Sequence, residues 1–350
     1  MFHLHQNVLI NMFAVLASLT LIIYGLIVGK SLLAPLIIAL LLALALLPFA
    51  RYLQKITHSR AVSAILPTLG VFIISLVFLG VVTLQVNNIT EKWSTISETT
   101  EEKLSEFKTY LTQNTPIESK TLDNVFKTTS INEIQEEYLN TNNATYLTQI
   151  IFGAIGSYLL TFIYLFFILL NRSSFKKFLL SLVKNSKEKT LRSTLSESMN
   201  TTIAYLYGKT KLIGLLIVIY SIGLGISGVD SFILIAVLAS FLTLIPYIGN
   251  IIAFLLAVVL GYLSNGETFV LVGIIISFSL TQFIESYILQ PYVIGHEVQL
   301  NPFFVILAVI VGNTIWGVTG MILAIPLLAI LNVFFLKIKK TRSLGKLLSN

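Results

Sequence analysis

The sequence predicts an all-α, polytopic membrane protein with about eight membrane segments and a small external helical segment. Hydrophobic residues make up 55% of its 350 residues, charged residues only 11%, and the mean hydropathy is +0.88. Soluble domains carry about 25% charged residues. Several apolar runs here reach the roughly 20 residues that cross a bilayer as a helix. We therefore expect the lipid bilayer to be a partner of most of the chain.

The N-terminal region, residues 1–86, contains three predicted spans. They cover residues 8–29, 31–50 and 61–86. The first run lacks a basic n-region and is followed at once by a second span, which argues against a cleaved signal peptide.

Residues 87–149 are polar, with apolar residues recurring at helical spacing, which predicts external amphipathic helices. About sixty residues bury too little surface for an independent core. We therefore expect these helices to pack on the membrane region or on a sister subunit, and we expect a homo-oligomer. A partner-binding role for this segment is the alternative.

Residues 150–211 contain a fourth span and then a basic amphipathic segment. In the segment, Phe175, Phe178, Leu179 and Leu182 form an apolar stripe flanked by lysines and an arginine. This pattern predicts a helix that lies on the inner leaflet.

The basic residues between the spans predict the orientation. Residues 51–60 carry three Lys/Arg, and residues 171–211 carry nine. Residues 87–147 instead carry ten acids against five lysines, and the tail 337–350 is basic. Because positively charged loops stay in the cytoplasm, we expect both termini inside and residues 87–149 outside. The expected location is a bacterial inner membrane, with multiple crossings.

Nothing in the sequence supports an enzyme, a cofactor or a metal site. Cysteine is absent, which excludes a thiol nucleophile and a cysteine-based metal site. Gly208-Lys209-Thr210 looks like the end of a phosphate loop, but Ile203 stands where that motif requires its first glycine. The loop charges account for the net charge of +7, so we expect no nucleic-acid partner.

The transport core is predicted in residues 212–336, which begin with a span at 212–228. Two apolar stretches, 231–264 and 303–336, are each too long for one straight crossing, at about 50 Å against a hydrocarbon core of ~30 Å. Each carries helix-disrupting residues near its middle: Pro246 and Gly249 in the first, and Gly312, Gly317 and Gly320 in the second.

The two stretches also resemble each other, since DSFILIAVLASF, which begins at Asp230, aligns with NPFFVILAVIVG, which begins at Asn301. Paired interrupted segments indicate a transporter binding site. We expect residues 246–250 and 312–320 to be non-helical and to meet near the middle of the membrane. Inverted re-entrant hairpins and two long kinked helices remain alternatives.

Glu285 lies on an intact span, 268–289, about four residues before the Leu-Gln-Pro that ends it, and Gln282 shares its face. An acid there is either solvated at the interface or lines a polar cavity. We take the second interpretation. The predicted pathway residues are Glu285, Gln282, Gln290, Asn250, Asn313 and Thr314, and Pro291 is a further structural break.

The run from ESYILQPYVIG through LNPFFVILAVIVGNTIWGVTGMILAIPL resembles the C-terminal signature of the AI-2E (PerM) family of bacterial transporters. The signature places an acid or amide before Leu-Gln-Pro, then Asn-Pro or His-Pro, a glycine-rich break and a closing proline. PYIGN at 246–250 and the layout of the spans agree as well. Tyr292 departs from the family, which usually has a basic residue there.

The resemblance implies a secondary transporter that exports a small polar solute such as autoinducer-2. Other members of the family are sodium/proton antiporters, which leaves a cation as the alternative cargo. A non-transporting scaffold that binds partners through residues 87–149 is the alternative of another class. Deletion of residues 91–147 would distinguish them, because a transport core can retain flux whereas a scaffold would lose its function.

Overall fold

The computed structural model describes residues 2–114, 144–181, 185–263, 266–294, 300–339 and 341–349. These residues are almost entirely helical, and extended backbone pairs there at a single bridge between Leu300 and Ser349. The predicted all-α class is confirmed. Residues 115–143, which hold much of the predicted external segment, lie outside the described part of the chain.

Among the described residues, seven helices cover the N-terminal spans and parts of both polar segments. Their bounds are α1 Phe2–Val28, α2 Lys30–Thr57, α3 Arg60–Glu91, α4 Trp93–Asn114, α5 Ala144–Leu170, α6 Arg172–Ser181 and α7 Asn185–Ile226. The predicted amphipathic segment begins as α6, which bends by 72° from the end of α5. Helix α7 is continuous, so it joins part of the basic segment to the predicted span at 212–228.

Six further helices build the C-terminal half. They are α8 Phe232–Leu242, α9 Ile248–Ala257, α10 Thr268–Ile284, α11 Pro302–Trp316, α12 Val318–Lys337 and α13 Arg342–Leu348. Wider π-helical turns continue α9 through Val258–Tyr262 and α10 through Glu285–Ile294.

Among the described residues, five helices are long and apolar enough to cross a membrane: Lys30–Thr57, Arg60–Leu84, Lys189–Ile226, Thr268–Val293 and Val318–Lys337. A sixth is reached if α5 and α6 count as one bent span. The expected number of about eight is not confirmed, because the other apolar helices described, Leu16–Val28, Phe232–Leu242, Ile248–Tyr262 and Pro302–Trp316, have only 10–17 residues.

The chain forms two compact units. The first comprises Met1–Ile73, Ile155–Lys211 and Gln290–Asn350, and the second comprises Ile74–Ala154 and Leu212–Leu289.

In the first unit, small side chains let α2, α3 and α5 approach closely. The buried cluster there consists of Ala39, Ala43, Ala50, Ala64, Leu165 and Leu169. A second cluster joins α2 to α11 and α12 through Ala34, Leu41, Trp316 and Leu323. The indole nitrogen of Trp316 donates to the carbonyl oxygen of Leu26 at 2.9 Å, which ties α11 to α1.

Also in the first unit, α11 and α12 fold back on each other as a helical hairpin. Asn301 caps α11 by accepting a hydrogen bond from the Phe303 amide at 3.0 Å, and Pro302 occupies the first helical position. The turn between the helices is the single residue Gly317, with φ 63° and ψ −142°, a conformation that essentially requires glycine.

Most of the stretch 312–320 is therefore helical, contrary to the prediction. Gly312 and Gly320 do not break their helices. Their missing side chains instead let α11 and α12 touch backbone to backbone, since a Cβ on either residue would overlap the other's carbonyl group. The glycines are needed for close approach, which sequence alone does not distinguish from helix disruption.

In the second unit, α8 and α9 form another helical hairpin. The interruption covers residues 243–247, slightly before the predicted 246–250. Pro246 lies within it, and Tyr247 takes a positive φ of 64°. Gly249 already belongs to the first turn of α9, where a Cβ would overlap the carbonyl of Leu242. Each interrupted stretch thus reverses direction, and neither is one long kinked helix.

Candidate functional site

Glu285 marks the point in the second unit where α10 changes from α-helical to π-helical turns. The apolar segment continues to Val293, eight residues beyond Glu285. The predicted end at Leu-Gln-Pro is wrong. Pro291 lies inside the π-helical turns and does not end them. In an α-helix a proline ring clashes with the carbonyl four residues earlier, whereas π-helical hydrogen bonds join residues five apart.

Glu285 is buried, with only 2% of its surface exposed. It ends a line of buried polar side chains spaced four residues apart on one face of α10, with Ser277 and Thr281 before it. A carboxylate out of contact with water costs free energy unless donors or cations offset its charge. The structure therefore disagrees with a solvated interfacial glutamate.

A chain of amides runs beside this face. The side-chain nitrogen of Asn250, near the start of α9, donates to the side-chain oxygen of Gln282 on α10. The nitrogen of Gln282 in turn donates to the hydroxyl of Ser286 at 2.9 Å. The α8–α9 hairpin and α10 are thus joined through polar side chains that lie three residues before and one residue after Glu285.

Tyr220 of α7 completes the cluster. Its side chain is fully buried, packs on Phe278 with ring centroids 4.8 Å apart, and lies within electrostatic range of Glu285. Among the described residues, neither its phenol oxygen nor Oδ1 of Asn250 has a hydrogen-bond partner. Most buried polar atoms are paired, and leaving one unpaired costs about 1–3 kcal/mol. Such atoms indicate a place for another polar group.

Small residues hold α7 against α10 just beyond Tyr220. A Cβ on Gly223 would lie 2.8 Å from the Ser277 hydroxyl oxygen, and one on Gly273 would lie 2.5 Å from the Ser227 side chain. The two serine oxygens are 3.3 Å apart. The α7 side contributes Gly223 and Ser227, the residue that follows the helix, and α10 contributes Gly273 and Ser277. A glycine and a serine four residues apart on each side let membrane helices pack closely.

The remaining predicted pathway residues belong to the first unit. Asn313 and Thr314 lie in the last turn of α11, where both are exposed. The Thr314 hydroxyl donates to the Ile310 carbonyl at 3.0 Å, and the Asn313 carbonyl accepts from the Gly317 amide at 2.7 Å. Gln290 is exposed in the π-helical turns after Glu285. The structure therefore brings together Asn250, Gln282 and Glu285 in one unit.

Tyr220, the paired glycines and serines, and Ser286 were missed by the sequence analysis. The α7–α10 contact did have a signal in the sequence. Small residues recur four positions apart, at 223 and 227 and again at 273 and 277. Nothing local in the sequence connects Tyr220 to Glu285, which is 65 positions away (285 − 220).

The chemistry available at this cluster is hydrogen bonding and the binding of a proton or a cation by one carboxylate. It offers amide, hydroxyl and phenol groups around a single carboxylate. Among the described residues, no group of three or more His, Cys, Asp or Glu side chains is placed to hold a metal ion. The arrangement suits a polar solute or a small cation.

Comparison with known proteins agrees with the architecture. The family model described as "AI-2E family transporter" matches residues 16–340. "Putative transport protein MT0215" of Mycobacterium tuberculosis is 36% identical over 110 residues, 31% of this chain and 30% of that protein. "Putative transport protein YrrI" of Bacillus subtilis is 30% identical over 139 residues, 40% of this chain and 39% of that protein.

"Putative transport protein YueF" of Bacillus subtilis is 29% identical over 117 residues, 33% of this chain and 31% of that protein. This chain thus spans about three to four tenths of the length of the curated relatives it matches.

Proposed function

Because this chain belongs to the AI-2E transporter family, we propose that it is a secondary transporter that moves a small polar solute past the cluster of Asn250, Gln282, Glu285 and Tyr220. The names of its relatives support a transport role. The absence of a nucleotide-binding motif from the sequence favours passive or gradient-driven movement over an ATP-driven pump.

The observation that carries the proposal is the buried polar cluster itself. Polar residues inside a membrane segment are costly and are typically found where a substrate or ion passes. Here a buried carboxylate lies three residues after Gln282, whose side chain is hydrogen-bonded to Asn250 just beyond the turn of the α8–α9 hairpin. Interrupted helices supply further backbone groups that can bind solute, which an intact helix in lipid cannot do.

Each polar group has a role in the proposed mechanism. The unpaired oxygen of Asn250 and the phenol of Tyr220 hydrogen-bond the hydroxyl or carbonyl groups of the solute. Glu285 carries the coupling charge, because it can exchange a proton for a cation. Solute binding at Asn250 would disturb its hydrogen bond to Gln282. The disturbance would thereby reach α10 near the point where the π-helical turns begin.

The family resemblance suggests export of an autoinducer-2-like solute, a small hydroxylated molecule that fits amide and hydroxyl partners. Cation/proton exchange is the second candidate, since Glu285 is a buried carboxylate on the face of α10 that also carries Ser277 and Thr281. The charge pattern supports a bacterial inner-membrane protein with both termini in the cytoplasm. We further propose a homo-oligomer, with the external helices between subunits.

Flux from reconstituted vesicles tests this function. The purified full chain is placed in vesicles loaded with a radiolabelled small polyol, and efflux is followed with a proton gradient, a sodium gradient or neither. We expect efflux above that of protein-free vesicles, accelerated by one gradient. If neither the polyol nor sodium or protons move faster than through protein-free vesicles, the transporter assignment fails and a scaffold role is favoured.

A further inference from the structure

Three arginines converge at one corner of the first unit, where α2 ends, α3 begins and α5 turns into α6. Arg51 lies in the last two turns of α2, Arg60 opens α3, and Arg172 opens α6. Arg51 and Arg60 are exposed, whereas Arg172 is half-buried.

Arg172 is held in place by three neighbours. Its guanidinium donates to the side-chain oxygen of Gln54 and, at 3.1 Å, to the carbonyl oxygen of Leu169. It also lies 3.5 Å from the hydroxyl of Ser63. Arg172 therefore braces α2 and α3 against the end of α5, and its position is set by the fold.

The corner concentrates positive charge. Burial lowers the pKa of Arg172, and the neighbouring charges of Arg51 and Arg60 lower it further. Neither residues 51–60 nor residues 172–181 contain an aspartate or glutamate. Mutual repulsion of this kind is relieved by an anion, and guanidinium groups match the geometry of phosphate oxygens.

An exposed apolar face lies next to this charge. Helix α6 leaves α5 at 72° and exposes Phe175, Phe178 and Leu179, with Lys176 and Lys177 between them. Aromatic and aliphatic side chains next to lysines on one short helix are typical of a helix that lies among lipid headgroups. The charged corner and the apolar face are continuous, because Arg172 is the first residue of α6.

We propose that this corner is a binding site for one anionic phospholipid. Its phosphate lies against Arg51, Arg60 and Arg172, and its acyl chains lie along Phe175 and Phe178. A free phosphate ion would use only the arginines and would leave the adjoining apolar face uncovered. A phospholipid uses both, which is why the lipid is the preferred occupant. The proposal does not depend on the transported solute.

Lipid selectivity of the reconstituted full chain tests the site. The protein is placed in phosphatidylcholine bilayers that contain spin-labelled phosphatidylglycerol or spin-labelled phosphatidylcholine. The immobilised fraction gives the preference for the anionic lipid. We expect wild type to prefer phosphatidylglycerol over phosphatidylcholine. In the double variant Arg51→Gln/Arg60→Gln this preference should fall by about fivefold or more. This variant leaves the Arg172 brace intact, so it is expected to fold.

The control removes the same charge elsewhere. Lys339→Gln/Arg342→Gln changes two exposed cations near the C-terminus and is expected to keep the wild-type preference. Equal losses in the two double variants would overturn the site in favour of unspecific charge attraction. An unchanged preference in Arg51→Gln/Arg60→Gln would also overturn it. So would displacement of the labelled lipid by excess inorganic phosphate at constant ionic strength, because the site would then take free phosphate.

Discussion

Gly312 and Gly320 touch backbone to backbone across the α11–α12 hairpin, and a Cβ on either residue would overlap the carbonyl group of the other. The hairpin turns at Gly317 alone, so the two helices cannot separate without opening that turn. The contact fixes how tightly the second interrupted stretch folds back.

Gly320→Ala should therefore destabilise the protein. The added methyl group forces the helices apart, and overpacking of this kind costs about 1–3 kcal/mol. A fall in the apparent melting temperature of the purified protein measures the effect. Gly70→Ala on α3 is the matched control, since a Cβ there meets nothing within 4 Å. Equal melting temperatures for the two variants would contradict the hairpin contact.

At position 247, glycine should give a more stable protein than alanine, the reverse of the usual order. The Tyr247 φ of 64° is unfavourable for any residue with a Cβ, and such strain costs about 1–3 kcal/mol. Tyr247→Gly relieves the strain, whereas Tyr247→Ala removes the same ring and keeps it. Melting curves should show the glycine variant to be the more stable of the two. The reverse order would show that the hairpin tip is unstrained.

The contact between α7 and α10 should tolerate no side chain at Gly273. Gly273→Ala places a methyl group 2.5 Å from Ser227, which pushes α10 and its Glu285 away from Tyr220. We expect a lower melting temperature and reduced flux. Gly214→Ala, on α7 of the same unit, has open space around the new methyl group and should behave like wild type. Full flux in Gly273→Ala would argue that the spacing of the two helices is unimportant.

The proposed orientation can be tested by cysteine labelling, because the natural chain has no cysteine. Thr95→Cys on α4 should react with a membrane-impermeant maleimide in intact cells. Ser186→Cys in the basic segment should react only after the membrane is permeabilised, since positively charged loops stay in the cytoplasm. Labelling of Ser186→Cys in intact cells would reverse the assignment.

Hydropathy and charge were sufficient for the helical class, because long apolar runs allow few alternatives to membrane helices. The predicted spans 31–50 and 61–86 fall within α2 and α3, but these helices continue to Thr57 and Glu91. Helix α7 was harder, because its first half is polar and gives no apolar signal for a span. Gly317 could not be singled out, since it is one of three closely spaced glycines, with Gly312 and Gly320, that are all typical of helix breaks.

Sequence periodicity located part of the candidate site. Gln282 and Glu285 lie three residues apart on α10, and their part in a transport pathway stays a prediction. The change to π-helical turns at Glu285 was not predictable, because a ten-residue apolar segment does not separate i→i+4 from i→i+5 spacing. Tyr220 and the bond between Asn250 and Gln282 depend on tertiary packing between distant helices, which no local pattern reports.

Gradient-driven flux through Glu285→Gln tests whether the buried carboxylate of Glu285 carries the coupling charge, as we propose. The amide keeps the size and hydrogen-bonding capacity of the side chain but cannot exchange a proton or bind a cation by charge. Glu267→Gln, an exposed acid that precedes the same helix, is the control. Both variants should insert and fold like wild type. We expect Glu267→Gln to retain gradient-driven flux and Glu285→Gln to fall to the rate of protein-free vesicles. Wild-type flux with preserved gradient dependence in Glu285→Gln would show that Glu285 does not carry the coupling charge.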